Sequence, residues 1–544
     1  MLRLAVLMFA ALPATALAAR PAIDSERGRL QTYVDARTAD AIGDPHRASL
    51  LFSALFDADR SDIAIGRRAV EAGIEAGDFD RAIAAALALP PPRRTLAARL
   101  LLVADALRRD RTDTALSFVG SSDADGAFVQ PLLRAWAERA AHRDGDAILS
   151  SPEAASTLLA PYLPEQRAFL LLASRRAAEA TPLIKTALAN AGGREDRLRF
   201  AFAEGLRRNG DSAGATALLV GAPPSLQRYA KTPAARGVAV DNSAAALSEV
   251  LLALALSVGQ SDDEGLPISL AQTARLAAPA NSEGAVILAL MLRRADRNDE
   301  ALALLDSVPA GDPLASDARD AAVELLGKTG RNAEAVQRAR AAIGRDATAD
   351  DFARLGGALD RAGDHGAAAD AYAQSIAAAD RAGSGRRASY RLLRADQLDK
   401  VGRWPEAKTD LLAALAIAPD NALTLNFLGY GELERGEDVA AAEAMIRKAS
   451  ALDPNDASIT DSLGWALYKR GRLPEAIETL RLASAGDPAQ AEINEHLGDA
   501  LFSSGRRIEA RFAWRAALVT AEAKDKGRIE AKLERGLTPA TVTP

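Results

Sequence analysis

ASITDSLGWALYKRGRLPEAIETLRLASAGDPAQ, residues 457–490, decides the fold of this chain. Its small residues and breakers return in register on both sides. Gly429, Gly464 and Gly498 stand 35 and 34 residues apart, and Gly436, Gly471 and Gly505 follow each of them after seven. Ala441, Ala476 and Ala510 come five later, and Pro419, Pro454 and Pro488 close successive units. Four residue classes in one register mark an internal repeat of two antiparallel helices. The first helix is expected over Ser458 to Arg470 and the second over Pro474 to Ala485. Gly471 supplies the positive φ of the turn between them. Pro474 begins the second helix, where its missing N–H costs nothing. Gly464 and Ala476 are small because the helices cross there, with Leu463, Leu467 and Leu480 filling the space beside the crossing.

Working outward, the register continues upstream with falling fidelity. Phe352, Leu355, Gly356, Gly363, Ala368 and Tyr372 form one unit, and Ala395, Gly402, Ala407, Ala414 and Pro419 the next. Before residue 220 only traces remain, such as Gly77-Asp78-Phe79 and Gly210-Asp211. At about 34 residues per unit the chain has room for roughly fifteen units, about seven of them well formed. The expected fold class is all-α, a helical-repeat superhelix in which each unit buries its apolar face against its neighbours. The expected organisation is an export signal over 1–18, a degenerate helical-repeat region over 19–220 and a linker over 221–243. A regular array over 244–521 and a capping helix with a disordered tail over 522–544 complete it.

Composition narrows the function. Of 544 residues 49% are apolar but only 4% aromatic, too few large rings for one ordinary globule of this size. The net charge of −6, without a long basic run, argues against nucleic acid as a partner. Arg3, the apolar stretch Leu4 to Leu12 and the small-x-small run Ala16-Leu17-Ala18 read as a cleavable signal for export. An uncleaved anchor is the alternative, though the stretch is shorter than the ~20 apolar residues that span a bilayer. The absence of cysteine excludes disulfides, thiolate metal sites and lipid attachment after the signal. Together these features place the expected mature chain, unanchored, in a bacterial periplasm.

The last three units carry every signature position of the tetratricopeptide-repeat (TPR) superfamily, which they resemble. More narrowly, Asn426-Phe427-Leu428-Gly429-Tyr430, Asp461-Ser462-Leu463-Gly464-Trp465-Ala466-Leu467-Tyr468, His496-Leu497-Gly498-Asp499-Ala500 and Glu509-Ala510-Arg511-Phe512-Ala513-Trp514 resemble long exported TPR proteins of Gram-negative bacteria. Some of those relatives are lipoprotein adaptors that deliver substrates, including cell-wall hydrolases, to a periplasmic carboxyl-terminal processing protease. This chain departs from them in having no cysteine to carry a lipid. The resemblance implies a non-catalytic protein-binding scaffold, with a structural part in an envelope secretion or polysaccharide-export assembly as the competing reading.

In such a superhelix, fixed positions of each first helix are expected to line a concave groove. Here they are Asn426, Phe427 and Tyr430, then Asp461, Ser462, Trp465, Tyr468 and Lys469, then Glu492, Glu495, His496, Asp499 and Phe502. Two readings of the rings stay open: a partner-binding patch around Tyr430, Trp465 and Tyr468, or packing against the adjacent repeat. Asp461, Glu492, Glu495 and Asp499 would make the groove negative and suited to a basic or apolar segment. The Lys, Arg and Asn set with which eukaryotic chaperone adaptors of this fold clamp a terminal carboxylate is absent. No cofactor or metal is called for: the four histidines are scattered, and no His-Glu-x-x-His or phosphate-loop pattern occurs. His496 and Asp499, one turn apart, are expected to touch in the groove rather than to form a catalytic dyad. Trp404 and Trp514 are expected in the core.

Overall fold

The computed structural model describes residues 23, 25–119, 127–222, 226, 238–259, 264–344 and 347–538. The expected signal, most of the expected linker and the tail beyond 538 lie outside them. The described residues form α-helices and short 3-10 turns, with no strand among them. They divide into two compact units, one ending at Leu325 and the other beginning at Leu326.

After the helix Asn332–Ala341, the second unit is a succession of helix pairs. They are Ala349–Arg361 with His365–Ala382, Arg387–Lys400 with Trp404–Ile417, Ala422–Glu434 with Val439–Leu452, Ala457–Lys469 with Leu473–Gly486 and Ala491–Ser503 with Arg507–Thr520. A single helix, Ala523–Arg535, ends the stack, within a residue or two of the expected cap. Gly471 takes the turn at φ +74°, and Pro474 lies in the first turn of its helix. In four of these five pairs the helices cross at a glycine, Gly356, Gly429, Gly464 or Gly498, and in the pair from Arg387 at Ala395. A Cβ on Gly464 would lie 2.6 Å from Leu480 Cγ, and one on Gly498 2.3 Å from Trp514 Cδ1.

One position of the repeat shifts. In the pair Ala422–Glu434/Val439–Leu452 the buried small residue is Ala442, while Ala441 faces solvent. The turn after Gly436 carries one extra residue, which is why this unit is 35 long. Asp438 caps the second helix by accepting from Ala441 N at 3.1 Å, and every later inward position moves on by one. Ile446 then packs under Gly429, whose Cβ would sit 2.8 Å from Ile446 Cγ1.

The first unit also begins in helix pairs, Glu26–Ala41 with Pro45–Ala58 and Ile63–Glu75 with Phe79–Ala88. It does not remain a nearest-neighbour stack. Helix Gly265–Ala277 packs against both Leu96–Arg108 and Ile63–Glu75, and Ser243–Val258 packs against Leu96–Arg108 and Gln130–Ala140. Gln272 Nε2 and Arg297 Nη2 both donate to the carbonyl of Glu75, at 3.4 and 3.3 Å. The cause is visible in Ser243–Val258, SAAALSEVLLALALSV, where apolar residues occupy every side and ten residues are buried. A helix apolar all round must be covered all round, and one pair of neighbours cannot do it. The expected array from 244 onward is therefore split: 244–325 fold with the first unit and the remainder with the second.

Candidate functional site

The expected groove residues lie on Ala422–Glu434, Ala457–Lys469 and Ala491–Ser503, the first helices of three consecutive pairs. Their arrangement differs from an open trough. Trp465 is fully buried. Its ring stacks on His496 at 4.0 Å and on Tyr468 at 4.6 Å, both nearly parallel. Its Nε1 donates to Glu434 at 2.8 Å, and Lys469 Nζ stands 5.1 Å from the ring centroid. Overhead, the Tyr430 hydroxyl donates to Glu492 at 3.3 Å, so residues of the pairs before and after meet across the helix that carries Trp465. Burial, with the Glu492 carboxylate next, raises the Tyr430 phenol.

The acids are spoken for as well. Asp461 accepts from His496 Nδ1 at 2.8 Å, and His496 is wholly enclosed, with Nε2 lacking any hydrogen-bond partner. Burial works against its protonation, but Asp461, with Glu492 and Asp499 farther off, outweighs it and raises the imidazole above its ordinary value. Glu495 and Asp499 face the terminal helix. Lys532 Nζ lies 2.6 Å from Glu495 and 2.8 Å from both Asp499 oxygens, while Arg528 grips Glu495 with two bonds of 2.8 Å. Trp514 Nε1 also donates to Asp499, at 2.8 Å. Two carboxylates thus meet two cations. Although burial opposes it, Arg528 and Lys532 hold the Glu495 carboxyl below its usual range.

Three expectations change accordingly. The lining is not an acidic surface: Asp461, Glu495 and Asp499 are buried in pairs, and only Glu492 among the four is exposed. Trp465 and His496 are packing groups between repeats rather than contact groups, which settles one of the two readings of that ring. His496 pairs with Asp461, not with Asp499. Trp404 and Trp514 are core, as expected. Sequence reasoning missed Arg528 and Lys532. A signal existed: Lys532 lies 34 residues after Gly498, so the terminal helix keeps the register and acts as one more first helix.

What stays accessible is an apolar strip upstream. Leu393 is 41% exposed and Leu423 56%. Phe427, 34 residues after Leu393 and in the same register, is half-buried, as are Tyr430 and Asn426. Asn426 Oδ1 is itself buried and accepts no hydrogen bond, so it is not open to a partner. Tyr468 keeps partial exposure at the other edge, its hydroxyl 3.1 Å from Ser503 Oγ.

Glycine at the crossing, glycine in the turn, alanine on the second helix and a period of 34 or 35 residues are now all in place. The helix pairs of the second unit are tetratricopeptide repeats. A TPR repeat-containing protein of Pseudomonas aeruginosa is 39% identical over 83 residues, 15% of this chain and 14% of that protein. The match thus spans only a small part of that TPR relative. No family model matches. Solved structures similar to the chain include the APC/C hetero-tetramer Cut9-Hcn1, at 14% identity and a TM-score of 0.39 over 94% of this chain and 96% of that one. A thermophilic TPR protein of Thermus thermophilus matches at 19% identity and a TM-score of 0.30, over 35% of this chain and 98% of its own.

Proposed function

We infer that this chain is a non-catalytic protein-interaction scaffold of the bacterial periplasm, exported by its N-terminal signal, and that it docks partners on the first helices of its regular repeats. The observation that carries this reading is the strip formed by the exposed Leu393 and Leu423 and the half-buried Phe427. The exposed Leu393 and Leu423, with the half-buried Phe427 in register with Leu393, offer a row of apolar anchors of the kind that an extended or helical segment uses. The conclusion is narrower than the sequence alone suggests. Tyr430 and Tyr468 flank the strip, whereas the acids and Trp465 hold the repeats together. Delivery of substrates to a periplasmic protease is the role this reading favours, from the resemblance of the C-terminal repeats to such adaptors.

A photoreactive phenylalanine at Leu393 or Phe427, expressed in the native host, tests it. The expected outcome is one discrete crosslinked partner from both positions and none from Leu482, which is 69% exposed on a second helix. Equal crosslinking from Leu482, or none from the strip, overturns the docking site. Purification of the mature chain from spheroplasts instead of the periplasmic fraction overturns the location.

A further inference from the structure

The first unit contains a cleft of about 350 Å³ whose wall includes Tyr162, Glu165, Asn190, Arg194 and Leu256. Behind it lies a fully buried charge cluster. The Arg194 guanidinium reaches Glu165 at 3.2 Å, Glu283 at 3.1 Å and also Glu249. Arg197 reaches Glu249 at 2.7 Å and the carbonyl of Val238 at 3.1 Å. Asn281 Nδ2 adds a bond to Glu249 at 3.1 Å. Three carboxylates therefore share two guanidiniums, leaving one negative charge in excess. Glu249 takes the closest contacts of both arginines. Glu165, the carboxylate that lines the cleft, has the weakest set: Arg194 Nη1 at 3.2 and 3.4 Å and Gln166 Nε2 at 3.1 Å.

A surplus buried charge is costly unless something meets it. We propose that the cleft over Glu165 is a binding site for a single cationic side chain, lysine or arginine, presented by a partner protein. The buried Ala187 and Ala253, with Leu256, give an apolar wall for its aliphatic stem, and the exposed Asn190 and Ser257 stand at the rim. Its cationic head completes the cluster at three charges against three. The volume lies at the small end of ligand pockets, enough for one side chain. In the free protein a proton does part of that work. Burial pushes the Glu165 carboxyl up to about 7, Arg194 opposing and Glu249 and Glu283 adding to the rise. A bound cation favours the ionised form, so binding releases a proton and tightens as pH rises from about 6 to about 8. This site lies in the other unit from the docking strip, and neither depends on the other.

The test uses the full chain, with butylammonium and butylguanidinium as probes and pentan-1-ol as the uncharged control, followed by methyl NMR. The cations should produce saturable shifts at Ala253 and Leu256 that pentanol does not. Losing one charge-assisted contact should weaken them about tenfold or more in Glu165→Gln. Ala191→Leu narrows the cleft from its half-buried wall without touching the cluster, and should block both cations while the protein stays folded. Absence of shifts at every pH, equal response to pentanol, or undiminished binding in either variant overturns the proposal.

Discussion

His496 ties charge to packing. The imidazole is sealed between Trp465 and Asp461, and its raised value means that the folded protein holds the proton more tightly than the unfolded chain. The sign follows from linkage: that stabilisation is complete below the ordinary histidine value and is lost as pH climbs through the higher, folded one. The melting temperature of the second unit should therefore fall as pH rises past the ordinary histidine value of about 6.5. His496→Gln and Asp461→Asn should each flatten the fall. Parallel melting curves for wild type and both variants would rule out the pair as its source. Trp465→Ala should cost about 3–5 kcal/mol in urea unfolding. It therefore cannot serve as a clean probe of binding, whereas the exposed Leu393 can.

At the scale of the element, the terminal helix Ala523–Arg535 closes the stack by charge as well as by apolar contact. Ile529 is fully buried in the last core cluster, and Lys532 is enclosed with Glu495 and Asp499. Lys532→Met takes the lysine contact from Asp499 and one of two cations from Glu495, both buried, and should cost about 3–5 kcal/mol, read by urea unfolding. The triple variant with Glu495→Gln and Asp499→Asn should recover much of that loss; no recovery would mean that the lysine acts through its stem alone. A second contrast tests the shifted repeat. Ala442→Leu should destabilise by about 1–3 kcal/mol through overpacking, while Ala441→Leu, exposed, should change stability by less than about 0.5 kcal/mol. Helices, turns and crossing glycines were legible in residues 457–490 and their echoes, because each is enforced by sterics within one unit. The extra turn residue left a trace in the 35-residue spacing between Gly429 and Gly464, but the fixed interval after Gly436 pointed to Ala441 where the structure buries Ala442. The fate of the lining side chains was not legible. Whether Trp465 faces a ligand or a neighbour depends on how closely successive first helices approach, and the Tyr430–Glu492 contact across the middle helix shows that here they approach closely.

At the scale of whole units, the two halves of the chain use helix pairs in opposite ways. In the second unit a pair meets little beyond its neighbours, so stability is a sum of local terms. In the first, Gly265–Ala277 returns to helices nearly two hundred residues earlier and binds the carbonyl of Glu75. The repeat signal was faint there for a physical reason. Once a helix is covered by distant segments, no particular residue is required at the period. Glu249, a carboxylate inside an otherwise apolar helix, was the one visible hint of the buried cluster. This difference predicts how each unit opens. Amide exchange in Ile63–Glu75, Leu96–Arg108 and Gly265–Ala277 should be governed by one shared opening, whereas protection in the second unit should vary from pair to pair. Ala274→Asp places a charge at a fully buried site and should cost several kcal/mol. It should speed exchange in Ile63–Glu75 and Leu96–Arg108 together with its own helix. Asp at the buried Ala476 should loosen its own pair and the adjoining pairs while leaving Ala349–Arg361 protected. Confinement of the Ala274→Asp effect to residues 265–277 would show that the long-range contacts contribute little to folding, and that the first unit too behaves as a chain of independent pairs.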